Sequence, residues 1–300
     1  MSTLRGYIRQ LARQKNALIL AHYYQTMDIQ GVADFVGDSF ELARRASDAG
    51  QALIVVCGVS FMAESVKLLS PGKTVLQPAP DAGCPMADMV TPEDVIAQRR
   101  SHPGAAVMCY VNSSAEVKAQ SDICCTSSSA VRIARSLKER EIVFLPDRNL
   151  AAYVSSLLPE KIIIPFDGYC PIHNAATADD VRTGLRLRPR AKVAAHPECR
   201  PEVLALSDFV GSTSQLLEYI ENSPHKSFLL GTELGVLERL RVTAPDKSVY
   251  LLSQGFVCRN MKKTSLQDVM RVLETETGAV EVDDAVAHGA RRSLMRMIAS

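Results

Sequence analysis

Shifted against itself by 86 to 88 residues, the sequence brings the same local patterns into register three times. Such self-similarity marks duplicated supersecondary units and limits the fold more than any other feature of the chain. Three short apolar runs, ALILAHYYQ, AAVMCYVNS and AKVAAHPEC, each end in polar groups. They align His22-x-Tyr24, Tyr110-x-Asn112 and His196-x-Glu198, with Tyr110 lying 88 residues after His22 and His196 lying 86 after Tyr110. A second set, ADFVGDSFELARRA, SDICCTSSSAVRIA and SDFVGSTSQLLEYI, aligns Asp34, Asp122 and Asp208, and then Ser39, Ser127 and Thr213. Each hydroxyl residue is expected to open a helix, where Ser and Thr satisfy unpaired backbone NH groups. The three aspartates precede a strand and read as structural.

A third landmark closes each unit. Cys84, Cys170 and Cys258 are spaced by 86 and 88 residues. After each comes a capping box, Thr91-x-x-Asp94, Thr177-x-x-Asp180 and Ser265-x-x-Asp268, which starts a helix. A helix therefore precedes each strand unit, and the segment from about Ser265 onward is expected to fold back beside the first unit.

Short apolar strands alternating with helices, with few hairpin signals, predict an α/β fold of parallel sheets. At 300 residues, length alone suggests roughly two domains, whereas the repeat argues for three. The expected architecture is three Rossmann-like αβα domains related by a pseudo-threefold axis: residues 1–84 with 262–300, then 85–172, then 173–261. Ligands bind beyond the carboxyl ends of parallel strands. The matched polar groups are thus expected to face one central cavity, with the three cysteines at its floor.

Composition excludes several functions. Apolar residues form 47% of the chain and charged ones 22%, values of an ordinary folded protein. A formal net charge of +1 gives no reason to expect nucleic acid or an anionic membrane as partner. The start, MSTLRGYIRQLARQKN, does not read as a signal peptide, and no apolar run approaches the ~20 residues of a membrane span. A cytoplasmic location is expected, and there the eight cysteines are thiols or metal ligands rather than disulfides.

Five of them, Cys57, Cys109, Cys124, Cys125 and Cys199, lie in or beside apolar strands and read as small buried residues. Cys84, Cys170 and Cys258 instead occupy the loops DAGCPMA, DGYCPIH and SQGFVCRN. Structural zinc takes four ligands, usually in close CxxC pairs, which these loops lack. A 4Fe-4S cluster that only carries electrons takes four thiolates. Three leave one iron open as a Lewis acid, and the chemistry implied is dehydration. Two alternatives stay open: another three-cysteine iron-sulfur hydro-lyase acting on a hydroxy acid, and a non-catalytic metal or redox sensor.

The stretches AHYYQ, ADFVGDSFELARRA, GVSFMAE, YVNSSAEVKAQSD, TSSSA, PDRNLA, HPEC, GST and NMKK together resemble the quinolinate synthases, the NadA family, along nearly the whole chain. The resemblance implies a transferase of NAD biosynthesis that condenses iminoaspartate with dihydroxyacetone phosphate to quinolinate, losing phosphate and two waters. It implies a functional link to the enzyme that supplies iminoaspartate. It also implies a 4Fe-4S cluster on Cys84, Cys170 and Cys258. His22, Ser39, Tyr110, Asn112, Ser127, His173, His196, Glu198 and Thr213 match positions that hold substrate, and Tyr24, Tyr110 and Glu198 match positions for catalysis. Glu198, buried beside His196, is expected to titrate near neutral pH and to move protons.

The chain departs from the family pattern twice. Some members carry CxxCxxC ending at the last ligand, where this chain has Leu252, Gly255 and Cys258, so no disulfide switch can form there. Tyr23 stands where asparagine is common, and strand alternation is expected to turn it away from His22 and Tyr24.

Overall fold

The computed structural model describes residues 3–300. It holds three four-stranded parallel sheets, as the repeat predicts. The first contains β1 (Ala17–His22), β2 (Phe35–Gly37), β3 (Leu53–Cys57) and β4 (Thr74–Leu76) in the order β2-β1-β3-β4. The second contains β5 (Ala106–Tyr110), β6 (Ile123–Cys125), β7 (Glu141–Leu145) and β8 (Ile162–Pro165) in the order β6-β5-β7-β8. The third contains β9 (Lys192–Ala195), β10 (Phe209–Val210), β11 (Ser227–Gly231) and β12 (Ser248–Leu251) in the order β10-β9-β11-β12. One topology thus occurs three times. In each copy the chain reverses direction through a helix after every strand, which is what parallel pairing requires.

By compactness the chain divides into two units, Met1–Val95 with Val111–Cys124 and Arg259–Ser300, and Ile96–Tyr110 with Cys125–Cys258. In the first unit the helix Leu266–Thr275 packs on the helix Leu4–Gln14, and Val269, Val272 and Leu273 share a core with Ile8, Ile19, Val55 and Leu76. The expected fold-back is there. The chain then covers the edge of β4, where Gln77 NH donates to the Gly278 carbonyl at 2.9 Å and Val280 NH to that of Val75 at 2.8 Å. Gly278 adopts φ +82°, and a Cβ there would meet the Gln77 carbonyl oxygen at 2.9 Å, so only glycine fits. Covering the strand removes an exposed row of pairing groups. The last helix, Asp284–Ala299, packs on Ala115–Ala119 and Ser60–Leu69.

The repeat landmarks have direct physical counterparts. Asp34 NH donates to the Ile19 carbonyl while its carboxylate accepts from Ile19 NH, both at 2.8 Å. Asp208 makes the same two contacts with Val193 at the same distances. Each acid fastens the entrance of an edge strand to its neighbour, a structural role. All three capping boxes form, with Thr91, Thr177 and Ser265 accepting from the NH of Asp94, Asp180 and Asp268 at 3.2, 3.3 and 3.2 Å. The carboxylates reach back to the NH of Thr91, Thr177 and Ser265 at 2.8, 2.8 and 3.1 Å.

Ser127 differs from expectation. Ser39 and Thr213 are the first residues of Ser39–Asp48 and Thr213–Asn222, capped by Asp38 and Ser212. The matching helix of the second repeat, Ala130–Ser136, begins later, and Ser127 lies in the turn before it. There Thr126 and Ser129 bond each other, with Thr126 NH donating to Ser129 Oγ at 2.9 Å, and this local turn competes with helix.

Candidate active site

The polar pairs stand where the first strand of each repeat ends. β1 closes on His22, and His196 follows β9 directly. Just beyond, the backbone turns so that the NH two residues on meets the imidazole. Tyr24 NH donates to His22 Nδ1 at 3.1 Å, and Glu198 NH donates to His196 Nδ1 at 3.3 Å. An Nδ1 that accepts carries no proton, so in both rings the proton resides on Nε2. Burial pushes His196 down to about 3, against the opposing pull of Glu198, and keeps it neutral. Tyr23 lies past the end of β1 in the turn, so strand alternation does not govern its direction. Its carbonyl accepts from Gln30 Nε2 at 2.9 Å.

Within the second unit four sequence-predicted residues come together around Glu198, which is 3% exposed. Tyr110 Oη donates to Glu198 Oε1 at 2.7 Å, and His173 Nδ1 lies 2.8 Å from Oε2. The same Nδ1 is 3.3 Å from Cys170 Sγ, and the His173 ring stacks on His196 with centroids 4.7 Å apart. His173 Nε2 is 3.0 Å from Thr232 Oγ1. A carboxylate only accepts, so Nδ1 donates to Glu198. Burial alone would raise the Glu198 pKa, but His196, His173 and the hydrogen bonds from His173 and Tyr110 bring it well below the usual carboxylate range. The expectation that Glu198 titrates near neutral pH is thereby corrected, because its donors favour the charge that burial opposes.

In the first unit His22 meets Tyr24 edge to face with centroids 4.5 Å apart, and Lys262, from the NMKK stretch, donates to the Tyr24 carbonyl. Ser39 and Thr213 begin helices, placing their hydroxyls at N-termini whose dipole favours anions. Asn112 Oδ1 is buried and has no hydrogen-bond partner among the described residues. A buried amide oxygen in that state costs free energy unless a ligand donates to it.

The cysteines separate as expected. Cys57, Cys109, Cys124, Cys125 and Cys199 are buried, whereas Cys84, Cys170 and Cys258 are partly exposed. Burial pushes the Cys57 thiol up to about 12, which makes it inert. Each exposed cysteine follows the last strand of its sheet and leads into a short 3-10 turn, Ala87–Met89, His173–Ala175 or Asn260–Lys262. In all three repeats the residue two before the cysteine accepts from the first NH of the preceding long helix. Ser60 NH reaches the Ala82 carbonyl at 2.9 Å, Arg148 NH that of Gly168 at 2.8 Å, and Leu234 NH that of Phe256 at 2.8 Å. Three accessible thiols on equivalent, backbone-anchored loops fit the donor set of a thiolate-held cluster.

Four further residues shape the site without having been singled out in sequence. Thr232 orients His173, and Asn149 Nδ2 donates to the Glu198 carbonyl at 2.9 Å and to Asn174 Oδ1 at 3.1 Å. Asp147 and Glu233, both fully buried, accept from the NH of Cys170 and Cys258 at 3.0 and 3.1 Å. Burial, reinforced by the charge of Glu198, holds the Asp147 pKa well above the usual range. One signal could have found these acids: they lie 86 residues apart, each just before a helix.

The family described as NadA, quinolinate synthetase A protein, matches residues 6–299. The quinolinate synthase of Caldicellulosiruptor bescii is 48% identical over 298 residues, covering 99% of this chain and 98% of its own. That of Methanoregula boonei is 48% identical over 296 residues, with 99% and 98% covered. That of Geobacter metallireducens is 48% identical over 297 residues, with 99% and 97% covered. Among the described residues no helix is long and apolar enough to cross a membrane.

Proposed function

Because this chain belongs to the quinolinate synthetase A family, we propose that it condenses iminoaspartate with dihydroxyacetone phosphate to give quinolinate, phosphate and two waters. The atoms of this reaction balance without an oxidant or reductant. What it needs is carbon-carbon and carbon-nitrogen bond formation, proton movement and loss of water, chemistry suited to a Lewis acid and proton carriers. In this reading Cys84, Cys170 and Cys258 would hold a 4Fe-4S cluster, which would supply Lewis-acid chemistry for the dehydration when bound. The three sheets are then three domains of one enzyme, 1–84 with 262–300, 85–172 and 173–261. Its setting is the cytoplasm, near the enzyme that supplies iminoaspartate.

The observation that carries the reading is the group around Glu198. Tyr110 Oη–H and His173 Nδ1–H both face an ionised carboxylate. A proton taken up at either oxygen has a neighbour to pass to, and Tyr24 supplies a phenol on the matching turn of the first repeat. Each of His22 and His196 presents an Nε2–H, a donor for a substrate carboxylate. Ser39, Ser127 and Thr213 add hydroxyls, and Asn112 Oδ1 awaits a donor. Iminoaspartate, with two carboxylates and an imine nitrogen, and a phosphate ester match these donors and this one acceptor.

Anaerobically prepared, cluster-loaded protein should form quinolinate from the two substrates. Absence of product with iron present would remove the assignment in favour of another hydro-lyase. A second reading rests on Cys170, His173 and Glu198, whose ligand atoms lie within 4.8 Å of one another and could hold a single divalent ion. The hydrogen bonds from His173 already account for that closeness. One tightly held zinc per chain without sulfide would support the second reading.

A further inference from the structure

The buried acids Asp147 and Glu233 are not explained by substrate chemistry, since each spends both oxygens on backbone. Asp147 Oδ1 accepts from Leu150 NH at 2.6 Å and Oδ2 from Cys170 NH at 3.0 Å. Glu233 Oε2 accepts from Gly235 NH at 2.6 Å and Oε1 from Cys258 NH at 3.1 Å. One oxygen of each caps a helix, Arg148–Leu157 or Leu234–Thr243, and the other fastens a cysteine loop to that helix. A burial of this kind, at 0% exposure for both, is costly for a carboxylate unless the bonds it makes are needed.

The first repeat lacks the device. The position before its equivalent helix is Val59, which has no side-chain oxygen and makes no side-chain cap. There Ser60 takes a different part, its Oγ donating to the Ala82 carbonyl at 3.2 Å, and Asn260 Nδ2 holds the Gly83 carbonyl at 2.8 Å. All three loops are held by the carbonyl two residues before the cysteine, and those of Cys170 and Cys258 gain in addition a carboxylate on the cysteine amide itself.

Resting on the cluster reading above, we propose that Asp147 and Glu233 are positioning residues that fix the backbone of Cys170 and Cys258, so that two of the three cysteine ligands are rigidly presented. Residues behind metal ligands typically change metal retention by about 10- to 100-fold when altered.

The test separates the tether from the helix cap. Asp147→Ser keeps a side chain that caps helices well but cannot reach two amides at once; Glu233→Gln keeps the length and one acceptor oxygen. Asp34→Asn serves as control, an acid that bonds backbone far in sequence from any cysteine loop. Each protein is loaded anaerobically, challenged with an iron chelator, and followed by the loss of cluster absorbance, with thermal unfolding measured in parallel. Asp147→Ser and Glu233→Gln should release iron about 10-fold faster than the unaltered protein. They should also shift the electron spin resonance of the reduced cluster, with Asp147→Glu recovering part of the retention. Asp34→Asn should lower the melting temperature without changing release. Release unchanged in both altered proteins, or faster only in proportion to lost thermal stability, with Asp34→Asn following the same proportion, overturns the inference. If the unaltered protein takes up no iron and sulfide, the cluster reading itself fails and takes this inference with it.

Discussion

The first and third repeats build the same turn and put different chemistry on it. In both, a backbone NH two residues on fixes the imidazole proton at Nε2. In the first the residue supplying that NH is Tyr24, a phenol lying edge-on to His22. In the third it is Glu198, a buried carboxylate held by Tyr110 and His173. Duplication thus preserves what backbone geometry dictates, a neutral histidine donor at the strand end, and leaves the neighbouring side chain to diversify. The comparison predicts which substitutions are interchangeable between repeats.

The largest difference should be in turnover. Glu198→Gln removes the charge its donors were arranged around and should lower kcat about 10⁴-fold, while Tyr24→Phe should lower it about 10²-fold, the two ends of the range for acid-base groups. Equal losses would mean that the two turns contribute alike. Both proteins should retain the cluster, which iron analysis would check.

A second contrast concerns acid stability. The His196 pKa of about 3 in the folded chain lies below the roughly 6.5 of an unfolded histidine. Between those values the unfolded chain takes up a proton that the folded one refuses. The contribution is therefore complete above pH 6.5 and falls by about 1.4 kcal/mol for each pH unit below it, ending near pH 3. Urea unfolding at pH 7 and pH 5 should show a loss of about 2 kcal/mol that His196→Asn abolishes. A loss unaltered by His196→Asn would place the acid sensitivity elsewhere.

The strand-fastening acids offer a finer test. Asp34→Asn should cost about 1 kcal/mol and Asp208→Asn about 2, since Asp208 also pairs with Lys192 at 2.7 Å. Burial raises the Asp208 pKa, but Lys192 and Val193 NH outweigh it and leave it lowered. Its stabilisation is present above the unfolded pKa of about 3.9 and lost as pH falls further. Unfolding curves for Asp208→Asn should converge on those of the unaltered protein in acid. Smallest of all, Thr177→Ala and Ser265→Ala should each cost about 1 kcal/mol, matched because the boxes match.

How far the sequence reaches can be judged from the same pairs. The strands, the capping boxes and the polar pairs at the strand ends were legible because each is local: a few residues decide it, and the repeat supplies three readings. Ser127 was placed too early in its helix because Thr126 and Ser129 form a turn that the alignment with Ser39 and Thr213 hides. Glu198 was given too high a pKa because its donors, Tyr110 and His173, lie 88 and 25 residues away in sequence. Asp147 and Glu233 were missed for a different reason. They differ in length, their first-repeat counterpart is Val59, and what they hold is backbone, which no residue pattern records. The packing of Asp284–Ala299 was likewise not legible, since an amphipathic helix specifies a buried face without naming its partner.

The central claim is that Cys84, Cys170 and Cys258 act together as thiolate ligands of one cluster. It is tested most directly by measuring iron and acid-labile sulfide in protein purified without oxygen, per mole of chain. The account predicts about four of each, falling away when any of these three cysteines is replaced by serine and unchanged for Cys199→Ala. One zinc and no sulfide, or full iron and sulfide in a Cys84→Ser protein, would contradict it.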